Sequence, residues 1–296
     1  MAELSTQQSF VIQVDGDVFV TACPGSGKTR VLSEKIIATL DRGISPHQRA
    51  LALTYTNRAA DEVSARLQEH GYSKKHLWTG TIHSFALEWI LRPYASYEPL
   101  LRNGFSVIDE AALRKLTDSL RMKHGVDSRA EIRMGFLRNG QLATTVPNRR
   151  SLIEECRKRL KEERLIDFDH VLYLALDLLR RKPEIAATLG AIFCLVCIDE
   201  YQDTQDLQFG ILAAIVRASN GNSRLFLVGD KNQAIYSSLG GMAKTVDELR
   251  REFDRPDLSH HELSGNYRST QRIVDFCASF CQADKEKVIS LARHVG

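Results

Sequence analysis

Ala191-Ile192-Phe193-Cys194-Leu195-Val196-Cys197-Ile198-Asp199-Glu200-Tyr201-Gln202-Asp203-Thr204-Gln205 is the stretch that decides the fold. Its apolar run, Ala191 to Cys197, reads as a strand buried on both faces, the habit of a parallel sheet. The run ends in Asp199-Glu200, which places two carboxylates at the carboxyl edge of that sheet. That edge is where open α/β folds hold ligands. An acidic pair alone carries little meaning, so its reading depends on what else the chain brings to the same edge.

The chain has 296 residues, enough for one large domain with an insert or for two modest domains. Its hydrophobic content of 43% is ordinary for a globular protein. No apolar run approaches the roughly 18 residues that span a bilayer. Met1 to Gln8 is polar and lacks the pattern of a secretory signal. A cytoplasmic protein without a membrane partner is expected. Cys194 and Cys197 form a CxxC inside the strand, where residues three apart face opposite sides. Cys277 and Cys281 share a helix face and read as buried thiols. The net charge of +3 hides an asymmetry: Arg114 to Arg164 holds 14 Lys/Arg against 7 Asp/Glu. A basic segment of this kind suits either a nucleic-acid footprint or a solvated helical surface.

Strand and helix patterns alternate at the start of the chain. Val18-Phe19-Val20-Thr21-Ala22 predicts a buried strand and Thr29 to Leu40 a helix. Ala50 to Tyr55 predicts a second strand, Ala59 to Glu69 a helix, and Trp78 to Ile82 a third strand. Such alternation argues for an α/β domain with a parallel sheet. From Ser84 to Leu189 the pattern is almost wholly helical, with Asp167 as N-cap of a helix from Phe168 to Arg181. Strands resume at Ala191 and at Arg224-Leu225-Phe226-Leu227-Val228-Gly229-Asp230. A helical domain is therefore expected to be inserted into the α/β domain.

Between the first strand and its helix lies Ala22-Cys23-Pro24-Gly25-Ser26-Gly27-Lys28-Thr29, a P-loop with Ala22 at the first glycine position. Small residues let backbone N–H groups curl around phosphates, and the helix N-terminus adds positive potential. Lys28 is placed to reach the β- and γ-phosphates, and Thr29 to bind Mg²⁺. With that loop present, Asp199 reads as the Mg²⁺ partner and Glu200 as the base that orients an attacking water. Gln233, at the end of the strand from Arg224, reads as a γ-phosphate sensor or as plain polar surface.

These residues resemble superfamily 1A DNA helicases of the UvrD/Rep/PcrA type, in that family's motif order. Leu4-Ser5-Thr6-Gln7-Gln8 resembles the Q motif, with Ser5 where Asn is usual. Leu53-Thr54-Tyr55-Thr56-Asn57-Arg58-Ala59-Ala60 is similar to TFTNKAA, and Gly80-Thr81-Ile82-His83-Ser84-Phe85 to GTFHS. Asp167-Phe168-Asp169 matches part of DFDDL, Asp199 to Gln205 resembles DEYQDTN, and Asn266-Tyr267-Arg268-Ser269-Thr270 matches NYRST. Val228 to Tyr236 is similar to VGDxxQSIY. The resemblance implies a RecA-like P-loop NTPase domain, 1A, from 1–85 and 190–265. It implies an inserted domain 1B from 86–189 and the start of a second RecA-like domain from 266–296. It also implies that Gln8 reads adenine, that Arg30 and Tyr267 sandwich it, and that Arg268 reaches the γ-phosphate. Tyr55 would stack on single-stranded DNA, with Thr56, Asn57, Thr81 and His83 on its backbone.

Two departures qualify the resemblance. Ser238-Leu239-Gly240-Gly241 stands where the family has aromatic-Arg-Gly-Ala, a change expected to weaken DNA grip and loosen its coupling to ATP. The chain also ends at Gly296 with no counterpart of the family's later motifs, and only Gln271 to Gln282 reads as a helix of the second motor domain. Weak ATP hydrolysis by this chain alone is the expectation, because an arginine finger is worth about 10³–10⁵ in turnover. The implied activity is that of the ATP-binding and hydrolysing motor half of a 3′–5′ DNA helicase, with ATP, Mg²⁺ and single-stranded DNA as ligands. The alternative is a nucleotide-gated regulatory subunit of a nuclease, as in antiphage systems of the Gabija kind.

Overall fold

The apolar runs fold into a six-stranded sheet whose pairings are all parallel. The structure, a computed structural model, describes residues 3–73, 75–234, 241–278 and 288–292. It divides into two units: Met1–Ile82, Ala186–Gln205 and Ile215–Gly296 form the first, and His83–Ile185 with Asp206–Ala214 the second.

The first unit opens with α1 (Thr6–Gln13), β1 (Val18–Ala22), α2 (Lys28–Asp41), β2 (Arg49–Leu53), α3 (Asn57–Glu69) and β3 (Leu77–Gly80). A short helix, α4 (Ile82–Phe85), leads to a π-helical turn over Ala86–Leu91. The second unit contains β4 (Ser106–Val107), α5 (Glu110–Arg121), α6 (Pro147–Glu162), β5 (Leu165–Ile166) and α7 (Phe168–Arg181). The chain continues through α8 (Pro183–Ile192), β6 (Phe193–Ile198), α9 (Asp206–Ala218), β7 (Arg224–Gly229) and α10 (Val246–Phe253). It closes with β8 (Ser259–Leu263), β9 (Gly265–Asn266), α11 (Gln271–Ala278) and β10 (Ile289–Ser290).

The main sheet runs β3-β2-β6-β7-β1-β8. Its central strands are buried almost end to end, and Val18, Val20, Leu195, Cys197, Phe226 and Val228 join one hydrophobic cluster with residues of α1, α2 and α3. Burial on both faces explains why these strands read as unbroken apolar runs. The order matters for function. β1 pairs with β7 and β7 with β6, so the carboxyl ends of these three strands lie side by side. The second unit packs its own core around Leu120, Leu152, Ile153, Cys156 and Leu160. Among the described residues, no helix is long and apolar enough to cross a membrane.

Several expectations shift in detail. Ala191 and Ile192 finish α8, and the strand begins at Phe193. A continuous apolar run carries no boundary signal between a buried helix end and a buried strand. β2 ends at Leu53, which leaves Tyr55 beyond the strand and 46% exposed. Ile82 belongs to α4 rather than to β3. Residues 122–146 contain no helix, although the segment around them reads as helical. β8 carries no apolar run because it is an edge strand with polar Ser259, His260, His261 and Glu262. The described residues of 266–292 fall in the first unit, and 206–214 in the second. The helix at Gln271 is described as far as Ala278, and Gln282 and Cys281 lie outside the described residues, as does the side chain of Cys277.

Candidate functional site

The phosphate loop leaves β1 at Ala22 and enters α2 at Lys28. Gly25 and Gly27 take left-handed backbone angles, φ +73° and +80°, which favour glycine. Gly27 is the N-cap of α2, and no side chain among the described residues caps that end. The first-turn N–H groups of α2 thus face outward as anion donors. The Ser26 hydroxyl is buried, with the residue 1% exposed, and has no hydrogen-bond partner among the described residues.

Lys28 and Thr29 bring this loop to the acidic strand end. The Lys28 ammonium lies 3.6 Å from Glu200 Oε2 and 3.4 Å from Gln233 Oε1. Thr29 Oγ1 lies 3.4 Å from Asp199 Oδ2. Glu200 adopts a left-handed conformation, φ +51°, unusual for a non-glycine residue and frequent at working sites. Its N–H donates to Asp199 Oδ1 at 3.0 Å, locking the acidic pair together. Gln202, which the sequence reading passed over, supports the pair: its Nε2 donates to Glu200 Oε2 at 2.8 Å, and its Oε1 accepts from Asp230 N at 2.9 Å. A Cβ at Gly229 would fall 2.1 Å from Gln202 Oε1, so that glycine makes room for the bridge. The spacing of Gln202 within the DEYQDT stretch was the available signal.

A cavity of about 370 Å³ opens beside these groups, lined by Thr29, Tyr55, Thr56, Asp199, Glu200, Asp203 and Gln233 among others. Burial raises the Asp199 carboxyl to about 7, helped by the neighbouring Glu200 and opposed by Lys28. Asp203 is raised to about 6, again mainly by burial and then by Glu200. Its Oδ1 has no hydrogen-bond partner among the described residues. A wall of buried carboxylates facing a cavity beside a lysine suits a ligand that carries its own cation.

NYRST and the Q motif meet the loop from its other side. Tyr267 N donates to Gly25 O at 2.9 Å, and Asn266 Nδ2 to Pro24 O at 2.7 Å. Arg268 passes so close that a Cβ on Gly25 would lie 2.8 Å from Arg268 Cβ, while its side chain is exposed. Tyr267 is 38% exposed. Gln8 is buried, and its Nε2 donates to Ser26 O at 2.8 Å. Its Oε1 accepts from Ser5 N at 3.0 Å, so Ser5 serves as an N-cap of α1 where the family pattern has Asn. Both ends of the expected adenine reader are engaged inside the protein. Arg30 lines a separate groove of about 470 Å³ between α2 and α3, together with Glu34, Glu62 and Arg66.

The expected DNA contacts fall in both units. Tyr55, Thr56 and Asn57 are exposed at the carboxyl end of β2, where Thr56 caps α3 by accepting from Ala59 N at 3.2 Å. Thr81 directly follows β3. His83 belongs to the second unit, where its ring meets Phe168 edge-to-face at 5.5 Å. Burial lowers the His83 imidazole to about 4, so it is neutral at pH 7. Phe168 is 49% exposed, an apolar surface beside His83 that the motif reading did not single out. The segment Ile235 to Gly240, which carries the departure at Ser238 and Leu239, lies outside the described residues.

Comparison with known proteins bears on this site. The family described as UvrD/REP helicase N-terminal domain matches residues 4–254. ATP-dependent DNA helicase PcrA of Staphylococcus epidermidis is 30% identical over 302 residues, covering 96% of this chain and 40% of that protein. The PcrA of Staphylococcus aureus is 29% identical over 303 residues with the same coverage. The chain spans 40% of the length of these curated relatives. Among solved structures, a Pif1 helicase from Candida albicans overlaps 93% of this chain and 43% of its own, with 13% identity and a TM-score of 0.46.

Proposed function

The chain belongs to the UvrD/REP helicase family through its N-terminal domain, and from that premise we propose that it binds and hydrolyses ATP as the motor half of a DNA helicase. The observation that carries this is the convergence of Lys28, Thr29, Asp199, Glu200 and Gln233 at three adjacent strand ends. The residues fit a triphosphate: among the described residues the α2 N-terminus has no side-chain cap and the buried Ser26 hydroxyl no partner, and Lys28 lies 3.6 Å from Glu200 of the cavity wall.

The loop amides and Lys28 bind the phosphates. In the structure Lys28 is shared between Glu200 and Gln233, and a triphosphate competes for it, which leaves Glu200 free to accept a proton at its carboxylate. Gln202 holds that carboxylate in place by donating to Oε2. Thr29 and Asp199 would hold Mg²⁺, which would supply neutralisation of phosphate charge. Gln233, 3.4 Å from the Lys28 ammonium, would hydrogen-bond the γ-phosphate, and Arg268, whose Cβ lies against Gly25, would approach it.

Tyr55, Thr56, Asn57 and Thr81 cluster at the carboxyl ends of two adjacent strands. Single-stranded DNA is the ligand this exposed edge suits, with Tyr55 as the stacking platform. Movement along that strand, 3′ to 5′, is the whole-protein activity that this reading implies. The test is ATP turnover measured with and without single-stranded DNA. Stimulation that disappears in Tyr55→Ala supports the reading, and turnover indifferent to DNA overturns its DNA half.

A further inference from the structure

Three consecutive carbonyls of the phosphate loop are gripped from outside it. Asn266 Nδ2 holds Pro24 O at 2.7 Å, Tyr267 N holds Gly25 O at 2.9 Å, and Gln8 Nε2 holds Ser26 O at 2.8 Å. We propose that Gln8 and Asn266 are positioning residues that preset this loop, so that Gln8 serves triphosphate binding whatever base the nucleotide carries.

The argument begins with peptide geometry. In a planar trans peptide the C=O and the next N–H point in opposite directions, and every peptide of the described chain is trans. Holding a carbonyl from outside therefore turns the following N–H inward. The three grips set the N–H groups of Gly25, Ser26 and Gly27. That of Ser26 closes the turn onto Cys23 O at 3.2 Å, and those of Gly25 and Gly27 make no backbone hydrogen bond among the described residues, which leaves them for an anion. Preset donors bind an anion without the ordering cost that a mobile loop incurs.

The braces themselves are fixed. Gln8 sits in a capping box, with its Oε1 on Ser5 N and its own N–H on Ser5 Oγ at 3.2 Å. At 3% exposure it presents no edge to a base. Asn266 is 5% exposed, and its Oδ1 accepts from Arg268 N and Ser269 N, both at 2.8 Å. One side chain thus ties the loop to the segment that carries Arg268. The two loop glycines admit the braces: a Cβ at Gly25 would meet Asn266 Oδ1 at 2.8 Å, and one at Gly27 would meet Gln8 Nε2 at 3.1 Å.

The inference rests on the proposed nucleotide site, and the experiment separates the two. Binding of ATP, GTP and inorganic tripolyphosphate, each with Mg²⁺, is measured on the wild type, Gln8→Met and Gln8→Glu. Gln8→Met removes the donor without adding charge, and Gln8→Glu keeps the capping box, which favours Glu at that position, so helix α1 is preserved. Each variant is expected to weaken all three ligands by the same factor, about tenfold for one lost hydrogen bond, leaving the ATP-to-GTP ratio unchanged. A selective loss of ATP binding overturns the proposal and returns Gln8 to base reading. Unchanged affinities overturn it as well. Asn266→Asp adds a control: it keeps both bonds from Arg268 N and Ser269 N but loses the donor to Pro24 O. Rescue of affinity relative to Asn266→Ala would show that only the turn matters. If the wild type binds none of the three probes, the nucleotide site itself fails, and the brace with it.

Discussion

The two units each bury a cluster of charge, and the clusters behave differently. In the first unit, Asp199 and Asp203 are raised to about 7 and about 6 and line a cavity beside Lys28. In the second, Asp169 is raised to about 6 and Asp167 is also raised by burial. There, Asp167 faces an arginine and a helix N-terminus, although Asp167 Oδ2 and Arg157 Nε make no hydrogen bond among the described residues. Asp167 caps α7 by accepting from His170 N at 2.9 Å and lies 3.8 Å from Arg157 Nε. Arg157 covers the Phe136 ring at 3.5 Å and donates to Met134 O. Burial lowers the His170 imidazole to about 3, with Arg157 adding to the effect. A raised carboxylate therefore does not mark a site by itself. The distinction is the surroundings: Asp199 and Asp203 line a cavity beside Lys28 and the left-handed Glu200, whereas Asp167 caps α7 and lies against Arg157.

On the proposed reading, one cluster serves stability and the other chemistry. The largest expected effect is structural. Asp167→Ala should destabilise the protein by about 3–5 kcal/mol, because it strands a buried Arg157. Denaturant unfolding gives the value, and a loss below about 1 kcal/mol would remove the structural interpretation of this cluster. Glu200→Gln should leave ATP binding intact and lower turnover by about 10²–10³, the scale of a lost general base. Equal losses in binding and turnover would mean that Glu200 holds ligand rather than working on it.

Asp199→Asn has opposite consequences for stability and function. The folded Asp199 keeps its proton up to about pH 7, whereas the unfolded carboxyl ionises near its ordinary value of 3.8. Between those values the folded state binds more protons, so ligand-free stability falls as pH rises and the penalty is complete above pH 7. The asparagine variant should be more stable than wild type at pH 8, by on the order of 2 kcal/mol, and equal to it near pH 4. Its affinity for Mg²⁺-nucleotide should fall. A variant less stable than wild type at pH 8 contradicts the cavity-facing role. The smallest effect belongs to the exposed edge: Tyr55→Ala should weaken single-stranded DNA binding by about 1–3 kcal/mol, with unfolding unchanged because Tyr55 is 46% exposed.

Much of the site is legible in the sequence, since phosphate loops and acidic strand ends impose residue types at fixed offsets. Lys28, Thr29, Asp199, Glu200 and Gln233 come together where the strand pattern places them. Topology is only partly legible. The buried strands stand out as apolar runs, but β8 does not, because an edge strand next to β1 needs no apolar alternation to pair. Gln202 escaped notice because its task is to bridge Glu200 and Asp230, and that contact exists only once β6 and β7 are adjacent. The same holds for Gln8, whose motif implies a base contact while its burial directs it to Ser26 O. Pairings across long sequence separation leave no local trace.

The central claim is that Lys28 and its loop form a working nucleotide site, and equilibrium binding of Mg²⁺-ATP to the wild type and to Lys28→Ala tests it most directly. The account predicts saturable one-to-one binding by the wild type and a loss of about 10²-fold or more in the variant, as expected for a charged donor to phosphate. Equal affinity in the two proteins, or no binding by the wild type, would contradict it.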